Sequence, residues 1–420
     1  MHRHIYGIDF GTTNSALAIL DTQTNEVVKM FTVPSLLFFP EFQYSRNTFN
    51  YKVGHEATTS YVESRMKGRF MKSIKRILPN RSFKSTRIAG KPFRIEDLVA
   101  LIIGHLKAQA DAYLGEVVTA AVVGRPVVFD ENSEKDALAQ ERLSKAVKKC
   151  GFETFFFQME PIGAAFTYER QLVRDELVLV ADLGGGTSDF TLMRLRPDAV
   201  NSPNRQEDMI SKGGVYVGGD NFDSSIMWHR GTPHFGRGVK EKIMDKWLDL
   251  PVSYFANICS WEKLNFFNSI RINNAIEQSY FSSGNHPLVK NLLTLVQKNL
   301  GYTLFREIEK TKIHLTAHDT AHFTFDQHDI CFDELITVEA FAQEIIHDDV
   351  QKIDRYLQQY LADNQVSTND IDTVFMTGGS SLVRPVQAII HEKFGAEKVK
   401  SGDNFNSVAK GLAYSFLLFG

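Results

Sequence analysis

The chain has 420 residues, of which 43% are hydrophobic and 23% are charged, and its formal net charge is −3. These values are typical of a globular protein with enough residues for more than one core. The small net charge gives no electrostatic reason to expect binding to nucleic acid or to an anionic membrane. No apolar run approaches the length that spans a bilayer, so neither partner is predicted.

The N-terminus enters a strand-like segment at once, without the pattern of a signal peptide. The three cysteines, Cys150, Cys259 and Cys331, are far apart and form no CxxC motif. Cysteines of this kind are typical of free, mostly buried thiols in a reducing compartment. The sequence therefore predicts a cytoplasmic protein.

The first predicted element is a β-hairpin over Ile5–Leu20, in which two apolar runs flank Asp9 and a short polar turn. Glycine lets the backbone of such a turn approach a ligand, and its N–H groups and hydroxyls suit phosphate oxygens. An aspartate at this point suits a hydrated Mg²⁺. The predicted phosphate contacts are Gly11, Thr12, Thr13 and Asn14.

Strands then alternate with amphipathic helices, which indicates an α/β architecture. Helices are predicted over Phe93–Leu114 and Glu134–Cys150, and strands over Glu116–Val128 and Phe152–Gln158. Another helix opens at Glu160, because proline at the next position is favoured in a first helical turn.

A second hairpin over Leu177–Leu192 repeats the design of the first. Asp182 takes the place of the magnesium-binding aspartate, and Asp189 is a further candidate for a cation contact. The predicted phosphate contacts here are Gly184, Gly185, Gly186 and Thr187. One such hairpin is often an ordinary turn, but two matching copies favour a clamp for the phosphates of a nucleotide.

The second half continues with a helix that begins near Gly218, Gly219 and Asp220, and residues 224–337 are predicted to be mainly helical and rich in aromatic residues. A strand over Thr373–Thr377 ends in a turn, and a final helix is predicted over Ser407–Phe419. That turn is either a helix entry or a surface for a purine and its ribose, and it comprises Gly378, Gly379, Ser380 and Ser381.

These elements together resemble the nucleotide-binding superfamily of actin, hexokinase and the seventy-kilodalton heat-shock chaperones. Four further segments are similar to the heat-shock branch in particular, in chain order and over nearly the whole chain. They are Ile74–Leu78, Val122–Phe129, Val217–Asp223 and the pattern Glu309, Lys312, Leu315, Thr316.

The resemblance implies the actin-like ATPase fold, with two duplicated lobes around a cleft for Mg·ATP. Each lobe has a sheet-and-helix core and an inserted subdomain. Lobe I would span 1–171, with its core at 1–34 and 93–171 and its insertion at 35–92. Lobe II would span 172–420, with its core at 172–223 and 338–420 and its insertion at 224–337.

The resemblance also implies roles for individual residues. Lys75 would be the catalytic lysine, although its basic surroundings would otherwise indicate a solvated face. Glu160, Asp182 and Thr187 would complete the catalytic set, and Arg125 with Pro126 would relay the nucleotide state. Nucleotide contacts would include Gly218, Gly219, Asp220, Glu309, Lys312 and Thr316, where Glu309 and Lys312 could also be a surface ion pair.

The chain departs from the family pattern at several points. Ile313 replaces an arginine that stacks on adenine, one extra residue precedes Pro385, and residues 224–337 are longer and more aromatic. No segment of the sequence resembles the peptide-binding domain of those chaperones, so a chain without that domain is expected. The sequence thus predicts a slow Mg-dependent ATPase that opens and closes its lobes, with ATP or ADP as ligand and a protein as partner.

Alternatives remain at this point. A sugar-type small-molecule kinase of the same superfamily would need a carboxylate base, for which no motif is found. An actin-like filament scaffold and an ATP-binding protein without turnover are also open. His314, His318 and His322 recur at a spacing that permits a metal site on one helical face, but a structural or surface role is favoured.

Overall fold

The structure is a computed structural model, and it describes residues 2–41, 49–64, 67–130, 132–169, 172–198, 206–260, 263, 270–401 and 407–416. The chain divides into two compact units. Unit one comprises 1–215, 357–381 and 390–420, and unit two comprises 216–356 and 382–389. None of the helices among the described residues is long and apolar enough to cross a bilayer.

The strands, numbered in chain order, are β1 (His4–Phe10), β2 (Asn14–Asp21), β3 (Glu26–Pro34), β4 (Leu37–Pro40), β5 (Lys52–Val53), β6 (Gly68–Met71), β7 (Thr86–Ile88), β8 (Lys91–Phe93), β9 (Ala120–Arg125), β10 (Thr154–Met159), β11 (Glu176–Leu183), β12 (Ser188–Leu195), β13 (Met209–Val215), β14 (Lys240–Ile243), β15 (Lys246–Asp249), β16 (Thr320–Gln327), β17 (Ile330–Thr337), β18 (Thr373–Thr377) and β19 (Val399–Ser401).

The α-helices are α1 (Gly54–Glu63), α2 (Ile95–Leu114), α3 (Ser133–Lys149), α4 (Glu160–Glu169), α5 (Gly219–Ile226), α6 (Val252–Ile258), α7 (Ile270–Ser282), α8 (Pro287–Gln297), α9 (Gly301–Ala317), α10 (Val338–Ala340), α11 (His347–Asp363), α12 (Arg384–Phe394) and α13 (Ser407–Ser415). Short 3₁₀ turns at Ile74–Ile77 and Gly379–Leu382 also matter for the site.

Unit one contains two five-stranded sheets of the same topology. Their strand orders are β10-β9-β1-β2-β3 and β13-β12-β11-β18-β19. In each sheet three strands form an antiparallel run, a fourth strand pairs in parallel with the first of them, and a fifth pairs in parallel with the fourth. The duplication that the two hairpins predicted is therefore a duplication of whole sheets.

The two hairpins also match in register. Phe10 pairs with Ser15 in the first sheet, and Leu183 pairs with Ser188 in the second, so each tip is the same length. Asp9 and Asp182 precede these pairs by one residue. Both aspartates therefore occupy the same place at the end of a buried central strand.

Helices α4 and α13 cross at very short range in unit one. A Cβ atom built at Gly411 of α13 would lie 1.8 Å from the carbonyl oxygen of Gly163 in α4. A Cβ atom at Gly7 of β1 would lie 2.2 Å from the carbonyl oxygen of Ala409. The backbones meet directly, and an apolar cluster with Val122, Val180 and other buried residues surrounds them.

Substitution of Gly411 by alanine is expected to destabilise unit one by about 3 kcal/mol or more, because backbone rather than a flexible side chain blocks the new methyl group. Gly104→Ala is the matched control, since its Cβ would meet only the Cys150 sulfur, at 3.7 Å, in the middle of α2. At this position the higher helix propensity of alanine should stabilise the folded protein by up to about 1 kcal/mol. Thermal unfolding of both variants tests this, and equal Tm values would contradict it.

Most predicted elements of unit one are confirmed with shifted ends. The helix expected from Phe93 begins at Ile95, because the Asp97 carboxylate accepts a hydrogen bond from the Arg94 backbone N–H and caps it. The strand expected over Glu116–Val128 is shorter, at Ala120–Arg125. The final helix runs over Ser407–Ser415, and residues 417–419 of its predicted range lie outside the described residues.

The prediction that residues 224–337 are mainly helical is wrong in part. Two hairpins, β14–β15 and β16–β17, lie in that stretch of unit two. Along β16 buried and exposed residues alternate, with Phe323 and Phe325 inside, and this period of two is the strand signal. Of the aromatic residues in this stretch, Phe255 is buried and Trp247 is mostly exposed, whereas Trp261, Phe266 and Phe267 lie outside the described residues.

Candidate active site

The tip of the first hairpin is held by hydrogen bonds within unit one. A Cβ atom at Gly11 would lie 2.0 Å from the Asn14 carbonyl oxygen, so only glycine fits there. Ser35 donates its hydroxyl to the Gly11 carbonyl at 2.8 Å and its N–H to the Thr13 carbonyl at 2.7 Å. The hydroxyl of Thr13 is buried and has no partner in the structure. It is the kind of group that a ligand would satisfy.

The second tip is fixed by the glycine turn near the end of the chain. Ser380 donates its hydroxyl to the Gly184 carbonyl at 2.7 Å, and the Gly184 N–H bonds to the Thr187 carbonyl at 2.9 Å. Gly378 has φ of +82°, and a Cβ atom there would lie 2.8 Å from a carboxylate oxygen of Asp182. The sequence-predicted turn over 378–381 is thus part of the second hairpin's support.

Lys75 lies on a short 3₁₀ turn, Ile74–Ile77, whose neighbours Ile74 and Leu78 are fully buried. The turn begins after Ser73. The φ angle of Ser73 is 58°, in the left-handed region that residues other than glycine rarely adopt. Such strain is found where the surrounding structure dictates the backbone. The turn therefore holds the base of the lysine side chain in one place.

The ammonium of Lys75 forms an ion pair with Glu160, at 2.7 Å between Nζ and Oε1. The two side chains are only 12% and 9% exposed. Glu160 is the first residue of α4, so its carboxylate lies at the positive end of that helix. Burial alone would lower the pKa of Lys75, but Glu160, Asp9 and Asp182 raise it, so the ammonium stays charged.

The aspartates around this ion pair have raised pKa values. Burial, followed by repulsion from Glu160, raises the pKa of Asp9 to about 7 and that of Asp182 to about 8. Burial also raises the pKa of Asp189 to about 6, although its carboxylate accepts a 2.7 Å hydrogen bond from Thr187. Four carboxylates therefore share one ammonium, and this site has a deficit of positive charge.

This deficit is the observation that tests whether a divalent cation fits. Carboxylates that repel one another and a partnerless threonine hydroxyl are hard oxygen donors of the type that Mg²⁺ prefers. Within the described ranges, no group of three or more acidic, histidine or cysteine side chains is arranged to ligate an ion directly. The oxygen donors of this site fit a divalent cation.

The structure also brings in residues that sequence reasoning missed. The Arg76 side chain lies over Gly186, where a Cβ atom would be 3.3 Å from the arginine Cδ. A Cβ atom at Gly214 of β13 would be 2.2 Å from a carboxylate oxygen of Asp189, so any side chain there would displace that carboxylate. The sequence could have indicated Arg76, since it follows Lys75 directly. Gly214 could not be found in this way, because only the register of the sheet pairs it with Asp189.

The remaining predicted nucleotide contacts lie in unit two. Gly218, Gly219 and Asp220 begin α5, and Glu309, Lys312 and Thr316 lie on α9. Lys312 pairs with the buried Asp223 at 2.7 Å and donates to the Gly219 carbonyl at 3.2 Å. It therefore ties α9 to the start of α5, and the ribose-binding role of this set stays a prediction.

The position predicted to face adenine, Ile313, and the three histidines of the alternative metal site lie on or near α9. Ile313 is 58% exposed on α9. His314 and His318 stack with ring centroids 3.8 Å apart, but α9 ends at Ala317 and His322 lies on β16, where it bonds to Asp333. The three histidines do not share one helical face, so the premise of the metal alternative is wrong.

The family model described as Hsp70 protein matches residues 5–236 and 295–416. The chain belongs to the Hsp70 family. Its two five-stranded mixed sheets, each carrying an aspartate and a phosphate-type turn, have the actin-like ATPase fold of Hsp70. Hsp70 proteins are nucleotide-binding ATPases of the chaperone type, and this chain is assigned to that class. The unmatched residues 237–294 fall within the stretch that departs from the family pattern.

The nucleotide-free and metal-free Hsp70 chain is expected to lose stability as the pH rises from about 5 to about 8. Asp9, Asp182 and Asp189 have pKa values above the ordinary value of about 3.9 for an unfolded chain. The folded state therefore binds more protons in this range, and its stability falls as those protons leave. Mg²⁺ should raise Tm more at pH 8 than at pH 6, and thermal unfolding with Mg²⁺ or EDTA measures this. An equal or larger rise at pH 6 would argue against the prediction.

Proposed function

We propose that this Hsp70-family chain binds ATP with Mg²⁺ and hydrolyses it slowly, and that the nucleotide state opens and closes its two predicted lobes. The observation that supports this most is the Lys75–Glu160 ion pair. The central aspartates of both duplicated sheets interact electrostatically with this pair. An ammonium that interacts with the aspartates beside both predicted phosphate turns would suit a terminal phosphate.

Lys75 would lie beside the γ-phosphate and stabilise the attacking water and the charge that develops on the phosphoryl oxygens. Its own charge is secured by the carboxylates around it. Glu160 would orient the ammonium and the water, while Thr187 would position the phosphate next to Asp189. Catalysis would come from positioning and charge rather than from a covalent step.

The backbone N–H groups of the two turns, over 11–14 and 184–187, would hold the phosphates. Asp9 and Asp182 would hold Mg²⁺ through water, and Asp189 would add a further contact. When bound, Mg²⁺ would neutralise phosphate charge and polarise the reacting phosphoryl group. Without a cation, the carboxylates of this site would repel the phosphates of ATP.

Residues 378–381 of unit one would contact the purine and its ribose. For the unit-two residues Gly218, Gly219, Asp220, Glu309, Lys312 and Thr316, the proposal keeps the nucleotide-binding role that the resemblance implies. An apolar Ile313 in place of an arginine is expected to weaken the contact with adenine, since it removes cation–π stacking. Family members act on protein clients, and a protein partner in the cytoplasm is part of the proposal. The glycine contact between α4 and α13 would be the place where the opening motion is accommodated.

Calorimetric titration with ATP, ADP and GTP, each with and without Mg²⁺, tests the proposal. ATP and ADP should bind only with Mg²⁺, and GTP should bind more weakly. Release of phosphate in the absence of any acceptor should accompany ATP binding. Phosphorylation of an added sugar would instead assign a kinase, and ATP-dependent sedimentation would assign a filament. Binding that is the same in EDTA would overturn the metal role.

A further inference from the structure

A buried arginine outside the proposed site holds the chain segment that follows Lys75. Arg142, on α3, is 9% exposed. It donates from Nη1 to the carbonyl oxygens of Leu78 at 2.7 Å and Asn80 at 2.9 Å, and from Nη2 to that of Phe83 at 2.9 Å. One guanidinium therefore binds three backbone carbonyls of one short loop.

This loop continues directly from the turn that carries the catalytic lysine. The Leu78 N–H bonds to the Lys75 carbonyl at 3.1 Å, and the Asn80 N–H bonds to the Ile77 carbonyl at 3.0 Å. The turn and the loop thus form one hydrogen-bonded piece. Any shift of the loop away from Arg142 would be transmitted to the backbone of Lys75.

The chemistry of this contact favours a positioning role. Among the described residues, no carboxylate forms an ion pair with Arg142. Its hydrogen bonds go to three backbone carbonyls, and the neighbouring Glu141 carboxylate adds an electrostatic attraction. Burying a charge in this way is costly, and packing alone would be met by an apolar side chain. The planar guanidinium, however, fixes several acceptors in a set geometry, which an ammonium cannot do.

The other end of α3 is anchored near the end of strand β9. Arg125 donates to both carboxylate oxygens of Asp136 at 3.0 Å, and the Phe129 N–H bonds to the same carboxylate at 2.7 Å. Helix α3 is therefore fixed at its first turns to the β9 segment, and further along it holds the loop after Lys75 through Arg142. A rigid helix is a suitable frame from which to hold a catalytic turn.

We infer that Arg142 is a positioning residue for Lys75: it fixes the turn so that the ammonium lies where hydrolysis requires it. This inference rests on the proposed ATPase activity. Since a displacement of about 1 Å far from the chemistry can cost up to about a hundredfold in rate, Arg142→Met should lower kcat roughly ten- to a hundredfold. The Kd for Mg·ATP should change less than about threefold, because Arg142 is not among the proposed nucleotide contacts.

The matched control is Lys107→Met, which removes another buried cation of unit one. Lys107 pairs with Asp111 at 2.5 Å and lies over the ring of Phe152, and neither contact belongs to the Lys75 turn. Hydrogen exchange of the amides over 74–83 is the second readout. It should accelerate in the Arg142 variant and stay at the wild-type rate in the Lys107 variant, whatever the two Tm values are.

Rescue separates positioning from general stability. Arg142→Lys should retain an intermediate kcat, because an ammonium satisfies only part of the carbonyl set. Arg142→Ala should regain turnover when millimolar guanidinium is added, but not when ammonium is added. These two variants also serve if the methionine variant does not fold.

The inference is overturned if the Arg142 and Lys107 variants lose kcat in proportion to their loss of Tm, or if exchange over 74–83 stays the same in both. It is also overturned if guanidinium gives no rescue of the alanine variant. If wild-type protein hydrolyses no ATP, the proposed function fails, and the exchange measurement still decides whether Arg142 holds the turn.

Discussion

Lys75→Ala is expected to lower kcat by about two orders of magnitude or more, which corresponds to about 3 kcal/mol of barrier. The ammonium is the positive group that attracts the carboxylates of Asp9, Glu160 and Asp182. Its removal takes away the charge that would face the γ-phosphate. Single-turnover hydrolysis at saturating Mg·ATP measures the effect without interference from product release.

The same substitution should also destabilise the nucleotide-free protein, because Glu160 would be left buried without its partner. Breaking a buried ion pair by removing one partner typically costs about 3 to 5 kcal/mol. The double variant Lys75→Ala/Glu160→Gln should recover most of that stability but none of the turnover. Lys84→Ala removes an exposed lysine and is the control for the loss of one positive charge outside the site. Full turnover in Lys75→Ala would remove this residue from the mechanism.

Asp182→Asn is expected to have opposite effects on stability and on binding. At pH 8 the native carboxylate is ionised in part although burial and Glu160 raise its pKa to about 8. A neutral amide of the same shape relieves that repulsion, so the metal-free protein should gain about 1 to 2 kcal/mol. Binding of Mg·ATP should weaken at least about tenfold, because one of the two proposed metal aspartates is lost.

The effect of Asp182→Asn on the stability of the metal-free protein should depend on pH. The raised pKa of Asp182 lowers stability as the pH rises toward 8, so the gain from asparagine should be large at pH 8 and small near pH 5. Asp136→Asn is the matched control, since that carboxylate is paired with Arg125 at 3.0 Å and its loss should destabilise. Thermal unfolding in EDTA and calorimetry with Mg·ATP measure both effects. A variant that is less stable at pH 8 would contradict the role of repulsion.

Local sequence signals were sufficient for the two hairpins. Each combines an apolar run, an aspartate and a glycine-rich turn within about sixteen residues, and both appear at the predicted positions with matched registers. The strand over Thr373–Thr377 was also predicted at its observed bounds. The helical prediction for 224–337 failed where strands alternate buried and exposed residues, as in β16.

The sequence by itself determined the family, the paired hairpins and the candidate aspartates, because those signals lie in short contiguous runs of residues. Lys75 became a candidate only through the resemblance to the family, since its basic surroundings alone indicate a solvated face. Only the tertiary structure decided that Glu160 pairs with Lys75, that Gly214 lies under Asp189, and that Arg142 holds the loop after the lysine. These contacts join residues between 25 and 85 positions apart. Such contacts depend on how sheets and helices come together, which local composition does not encode.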